Sequence, residues 1–169
     1  MAQVDRNSTA IADMVAVPRV PVGPTKGAPG QLVEAVGYVA NAADDSANSI
    51  HRFCRVPSNA RVSQVLLTTG DASSAGACDI GVYQTVDNGG AVVDSDLFAS
   101  AFDLTGGAFA NTDVTYESGE YTVAESVKPL WEVLGLSADP KREYDVAAKI
   151  TTTYNGASVG QVVKVRYVI

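Results

Sequence analysis

The only histidine is His51, in the run Ser49-Ile50-His51-Arg52-Phe53-Cys54-Arg55, and Cys54 stands three residues on. A histidine and a thiol suit nucleophilic catalysis if the base lowers the thiol's pKa. On an extended strand, residues three apart point to opposite faces, so the pair is not expected to meet, and Arg52 and Arg55 disfavour a charged imidazole. Asp87, Asp94 and Asp96 lie around the Gly89-Gly90 turn, and Asp94 and Asp96 share a face if that piece is extended, an arrangement that suits a hard cation. The order Asp-x-Asp-x-Asp-Gly of a calcium loop is missing, and turns recruit aspartate for their own hydrogen bonds, so solvated turn residues are expected. Nineteen acidic residues supply carboxylate pairs by chance, and nothing selects one pair for glycosidase chemistry. Gly106-Gly107 lacks the Gly-Lys-Ser/Thr that completes a phosphate loop. Trp131 suits a sugar platform, but on a short apolar helix it reads as core. The expectation is no catalytic residue, no cofactor and no metal.

The elements that must carry these residues divide the chain in two. Four of the seven prolines, Pro18, Pro21, Pro24 and Pro29, fall in the first thirty residues. Proline fixes φ and removes a donor, so 17–24 is neither helix nor central strand and is expected to run extended. Residues 1–30 therefore read as an arm, and 31–169 as one β domain of common size. In the arm, Ile11, Met14, Val15, Val17, Pro18, Val20, Pro21, Val22 and Pro24 are the residues expected to bury against a partner. Ordering each costs on the order of 1 kcal/mol, so they gain order only where a partner covers them.

Charge is uneven. The arm holds Asp5, Asp13, Arg6, Arg19 and Lys26, a net +1, which leaves −8 on the domain within a total of −7. An acidic body without a basic cluster repels phosphate backbones, so nucleic acid is not an expected partner. No stretch reaches the roughly 20 apolar residues of a membrane span, and the start lacks the apolar run of a signal peptide, so synthesis in a cytoplasm is expected. Cys54 and Cys78 are too few for a disulfide framework and read as buried thiols. Without a secretory signal, the acceptor-like Asn7-Ser8-Thr9 carries no meaning.

Alternation marks strands over 31–39, 50–56, 60–69 and 79–86, with Pro57-Ser58-Asn59 and Asn88-Gly89-Gly90 as turns. Residues 95–104 fit either helical or strand spacing, and 112–116 and 120–124 are weaker strands divided by Ser118-Gly119. Pro129 opens one short helix that Gly135 stops. The clearest alternation is 145–154, and the chain closes on a strand over 161–169. Seven or eight short strands predict an all-β fold: an antiparallel, jelly-roll-like sandwich with an extended N-terminal arm.

Several phrases, taken in order, resemble structural proteins of tailed-bacteriophage virions. They are Arg55-Val56-Pro57-Ser58-Asn59-Ala60-Arg61-Val62, Asp79-Ile80-Gly81-Val82-Tyr83-Gln84-Thr85, and the run from Gly89-Gly90 through Asp94-Ser95-Asp96-Leu97-Phe98 to Ala101. Pro129-Leu130-Trp131-Glu132-Val133-Leu134-Gly135-Leu136, Asp139-Pro140 and Tyr144-Asp145-Val146-Ala147 continue the likeness. Such proteins include capsid decoration, or cement, proteins with β-sandwich folds. The resemblance implies a non-enzymatic role on the outer surface of a capsid, with the major capsid protein and further copies of this chain, as dimer or trimer, for partners. It implies no catalytic residues. The arm lies outside the resemblance; fully extended it reaches about 100 Å, enough to strap a neighbouring subunit. The alternative reading is a head-fibre, tail or baseplate protein whose β domain binds a receptor or glycan, and a carboxylate-based glycan hydrolase ranks third.

Overall fold

In the computed structural model of the protein, the residues described are 30–40, 45–70, 76–105, 108–152 and 160–169. Residues 1–29 of the expected arm, including every partner-facing residue named for it, lie outside them. Eight strands occur among the described residues: β1 (Leu32–Ala40), β2 (Ile50–Pro57), β3 (Arg61–Thr69), β4 (Ala77–Gln84), β5 (Val92–Asp103), β6 (Thr112–Asp113), β7 (Glu143–Thr152) and β8 (Gly160–Val168). They form two four-stranded antiparallel sheets, β1-β8-β3-β6 and β2-β7-β4-β5. First pairs with last, second with seventh, third with sixth and fourth with fifth. The chain is thus one long hairpin wound across two layers, the jelly-roll-like sandwich expected from alternation.

The inward residues of both sheets build one core. Val62, Val65, Leu67, Val163 and Val165 from one layer meet Val56, Ile80, Val82, Val146, Ala148 and Ile150 from the other. Burying a side chain of this size contributes about 1.5–3 kcal/mol, which gives alternation its force as a folding signal. The turn 58–60 carries a short helix, α1 (Leu130–Val133): the Leu130 N–H donates to the Ala60 carbonyl and the Trp131 N–H to that of Ser58. Leu130 is the buried residue of that helix. Trp131 is half-buried rather than core, because a single helical turn docked by its first residues leaves the next side chain on the flank.

Other expectations need correction. The segment 95–104, open between helix and strand, belongs to the strand β5 as far as Asp103, and 120–124 forms no strand. That segment is held instead by Tyr121, whose hydroxyl donates to the Val62 carbonyl and whose ring lies 5.2 Å from that of Phe98. The strand expected over 145–154 begins at Glu143 and is described to Thr152; residues 153–159 lie outside the described residues.

Two glycines mark where backbones nearly touch. A Cβ on Gly37 in β1 would sit 1.9 Å from the Phe53 carbonyl oxygen of β2, so this is where the edges of the two sheets close on each other. A Cβ on Gly81 in β4 would sit 2.2 Å from the Asp94 carbonyl oxygen of β5. There Ile80 faces Ala99 and Val82 faces Asp94, so residues 95–98 stand opposite Gly81 alone in a wide bulge.

Candidate assembly surface

The outward face of the β1-β8-β3-β6 sheet is built by simple alternation. Leu32, Glu34, Val36 and Tyr38 of β1 lie opposite Val168, Arg166, Lys164 and Val162 of β8. A polar band crosses all four strands. Arg166 donates to Glu34 at 2.6 Å and to Gln64 of β3 at 2.9 Å, and Gln64 donates to Asp113 of β6 at 2.9 Å. Lys164 donates to Asn111 at 3.0 Å. With Arg166 paired to Glu34, and Lys164 and Asp113 hydrogen-bonded to neutral amides, the band costs less to cover than unpartnered charges would.

Beside this band the edge strand β1 shows apolar side chains to solvent. Leu32 is 63% exposed, Val36 54% and Tyr38 66%. Tyr38 is nevertheless held in place, because its ring lies against Gly160, where a Cβ would meet the ring at 2.4 Å. A fixed, exposed aromatic beside aliphatic neighbours is the usual makeup of a contact surface. The row runs along the strand that Gly30 joins to residues 1–29.

The residues singled out for chemistry fall elsewhere. His51 and Cys54 lie on the same face, opposite Ala148 and Val146 of β7, because a bulge at Phe53 inserts a residue between them. This corrects the expected opposite orientation, which assumed unbroken alternation. The pair is still unsuited to nucleophilic chemistry. The two ring nitrogens of His51 face Gln161 Oε1 at 3.3 Å and Asp45 at 3.1 Å, and burial, with Asp145 nearby, pushes the Cys54 thiol up to about 12. Burial, with Asp79 and Glu117 adding to it, likewise pushes Cys78 up to about 12. Both cysteines are free thiols; Cys78 is buried as expected, whereas Cys54 is only partly so.

Arg52 and Arg55 project from the opposite face of β2, where both bind the buried Asp145 at 3.0 Å. Arg52 also donates to the carbonyls of Gln84 and Gly90 and lies over the Tyr83 ring. Arg55 reaches Asp87 at 3.1 Å. The grouping of Asp87 with Asp94 and Asp96 that the spacing allowed for a cation is therefore not formed. Asp94 and Asp96 do meet, in the β5 bulge, and Glu120 joins them, with carboxylate oxygens within 4.8 Å of one another. Desolvation raises the Asp94 pKa, to which the Asp96 charge adds, and the charges of Asp94 and Asp96 raise that of Glu120. Glu120 is sequence-distant, and nothing in the local pattern announces it.

No family model and no curated protein matches the chain. Among solved structures, it is similar to the cyanophage Pam1 capsid asymmetric unit at 14% identity, over 91% of this chain and 96% of that one, with a TM-score of 0.48. It is also similar to the acidic stable capsid structure of Helicobacter pylori bacteriophage KHP30 at 12% identity, over 82% and 92% of the two chains, with a TM-score of 0.37. Both neighbours are phage capsid structures.

Proposed function

We propose that this chain is a non-enzymatic structural protein of a tailed-phage head, a decoration or cement protein that binds the outside of the shell. In this reading the β domains associate as dimers or trimers beside the major capsid protein, and residues 1–30 strap neighbouring subunits. The observation that carries the reading is the apolar row of Leu32, Val36 and Tyr38 on the edge strand continuous with that segment. It is the makeup of a surface that binds other protein, set beside a band whose charged groups already have hydrogen-bond partners. The domain's −8 charge supports an external position, since packaged DNA repels it. Modest affinity per copy suffices, because many linked contacts on one shell multiply it.

The test is co-sedimentation with undecorated capsids of the encoding phage, using the full-length chain and a form lacking residues 1–30. Saturable binding by the full-length chain, lost or weakened without the segment, is expected. Absence of binding by either form overturns the reading in favour of a tail or receptor-binding role.

A further inference from the structure

We propose that the apolar row of β1 is the seat for residues 17–24 of a neighbouring copy. The proposal rests on the strap reading above and names the surface that receives the strap. Three features on the two sides fit. The first is length: Leu32 to Tyr38 spans about 20 Å of strand, and 17–24 in a polyproline conformation spans about 22 Å. The second is chemistry. Prolines at 18, 21 and 24 are three apart, the period of a polyproline helix, so they fall on one face with Val17 and Val20 on the next.

Such a segment cannot extend the sheet by a hydrogen-bonded ladder, because prolines of alternating parity remove donors on both of its sides. It must be held through side chains, and proline-rich segments dock on exposed aromatic rings flanked by apolar groups. Tyr38, fixed over Gly160 and 66% exposed, with Val36 beside it, offers that. The third feature is charge: a segment bearing net +1 approaches a domain of −8. Because each donor segment leaves Gly30 at the head of a receiving strand, every copy gives and receives once, which generates rings or chains of copies.

The test replaces Tyr38 with the photocrosslinker benzoylphenylalanine in the full-length chain and mixes it with isotopically heavy, unsubstituted full-length chain, both free at high concentration and on capsids. After irradiation and trypsin, the expected adduct joins position 38 to the heavy peptide 7–19 or 20–26. An adduct to the light peptide with no heavy counterpart overturns the neighbouring-copy assignment, and adducts only to other segments, or none, overturn the seat itself. Val36→Glu in the photocrosslinker chain is expected to lower the adduct several-fold; an unchanged yield also counts against the seat. The strap reading is read separately from capsid pelleting. Segment-dependent pelleting without the adduct means that the segment seats on the shell, whereas the adduct without pelleting leaves the seat standing and the capsid role overturned.

Discussion

Gly37 tests how tightly the sandwich edge closes. A methyl group there meets the Phe53 backbone at 1.9 Å, and backbone cannot rotate away as a side chain can. Gly37→Ala is expected to cost about 1–3 kcal/mol, with Gly81→Ala similar, each measured as a fall in the denaturant midpoint. Asp145 is the second test. It is buried between two guanidiniums, and Asp145→Ala strands Arg52 beneath the Gly89-Gly90 turn, so a loss of about 3 kcal/mol is expected. Asp94 and Asp139 give opposite signs with pH. The folded pKa of Asp94 lies above its ordinary 3.8, so its ionised form weakens the fold, and stability gained on its protonation appears as pH falls through that raised value. Asp94→Asn is therefore expected to raise Tm at pH 7, with the gain vanishing below about pH 4. The folded pKa of Asp139 is held down, first by the Ser58 hydroxyl and then by the Lys141 N–H, so its contribution is present at neutral pH and fades as pH falls through its lowered folded value. Asp139→Asn should lower Tm at pH 7 and not in strong acid; equal effects at both would refute the assignment. At this scale the sequence was only partly legible. Asp94 with Asp96 follows from alternation, but Glu120 arrives through tertiary packing, and the shared face of His51 and Cys54 depends on a bulge that no residue type at Phe53 announces.

Elements with clear alternation in the sequence were readable: β1 and β8 sit where the pattern puts them, β3 does so despite a register shift between Val62 and Gln64, and β7 begins two residues ahead of its alternation. β5 was ambiguous for a physical reason. Its bulge carries both Leu97 and Phe98 into the core as consecutive residues, which imitates helical spacing while the backbone remains extended. The stretch 120–124 misled in the other direction, since it has strand-like residues but meets the β5 edge through the Tyr121 N–H and the Leu97 carbonyl rather than through a ladder, and the Tyr121 hydroxyl anchors it to β3. Thr115 illustrates that kind of anchoring. It is fully buried, accepts the Val65 N–H at 2.7 Å and donates to Asp113, so one hydroxyl ties the irregular 108–128 region to β3. Thr115→Val keeps the shape but leaves a buried N–H unpaired. A loss of about 1–3 kcal/mol is expected, with faster hydrogen exchange at Val65; unchanged exchange there would show that the hydroxyl is not the anchor.

For the whole molecule, fold class was legible and strand order was not. Two-residue periodicity says that each strand has a wet and a dry face, which is a local property. That β1 lies beside β8 is a matter of pairing between distant segments, which composition and spacing do not encode. The winding has a consequence for timing. The innermost turn of the long hairpin, β4 with β5, closes over a short loop, whereas β1 and β8 must bring the two ends of the domain together at the greatest loop-closure cost. Pulse-labelled exchange during refolding is expected to protect β4 and β5 before β1; simultaneous protection would contradict this order. In the proposed assembly, the strand that offers Leu32, Val36 and Tyr38 is then the last to be laid down, so a half-finished chain lacks its seat for another copy and is kept out of the coat by its own order of folding.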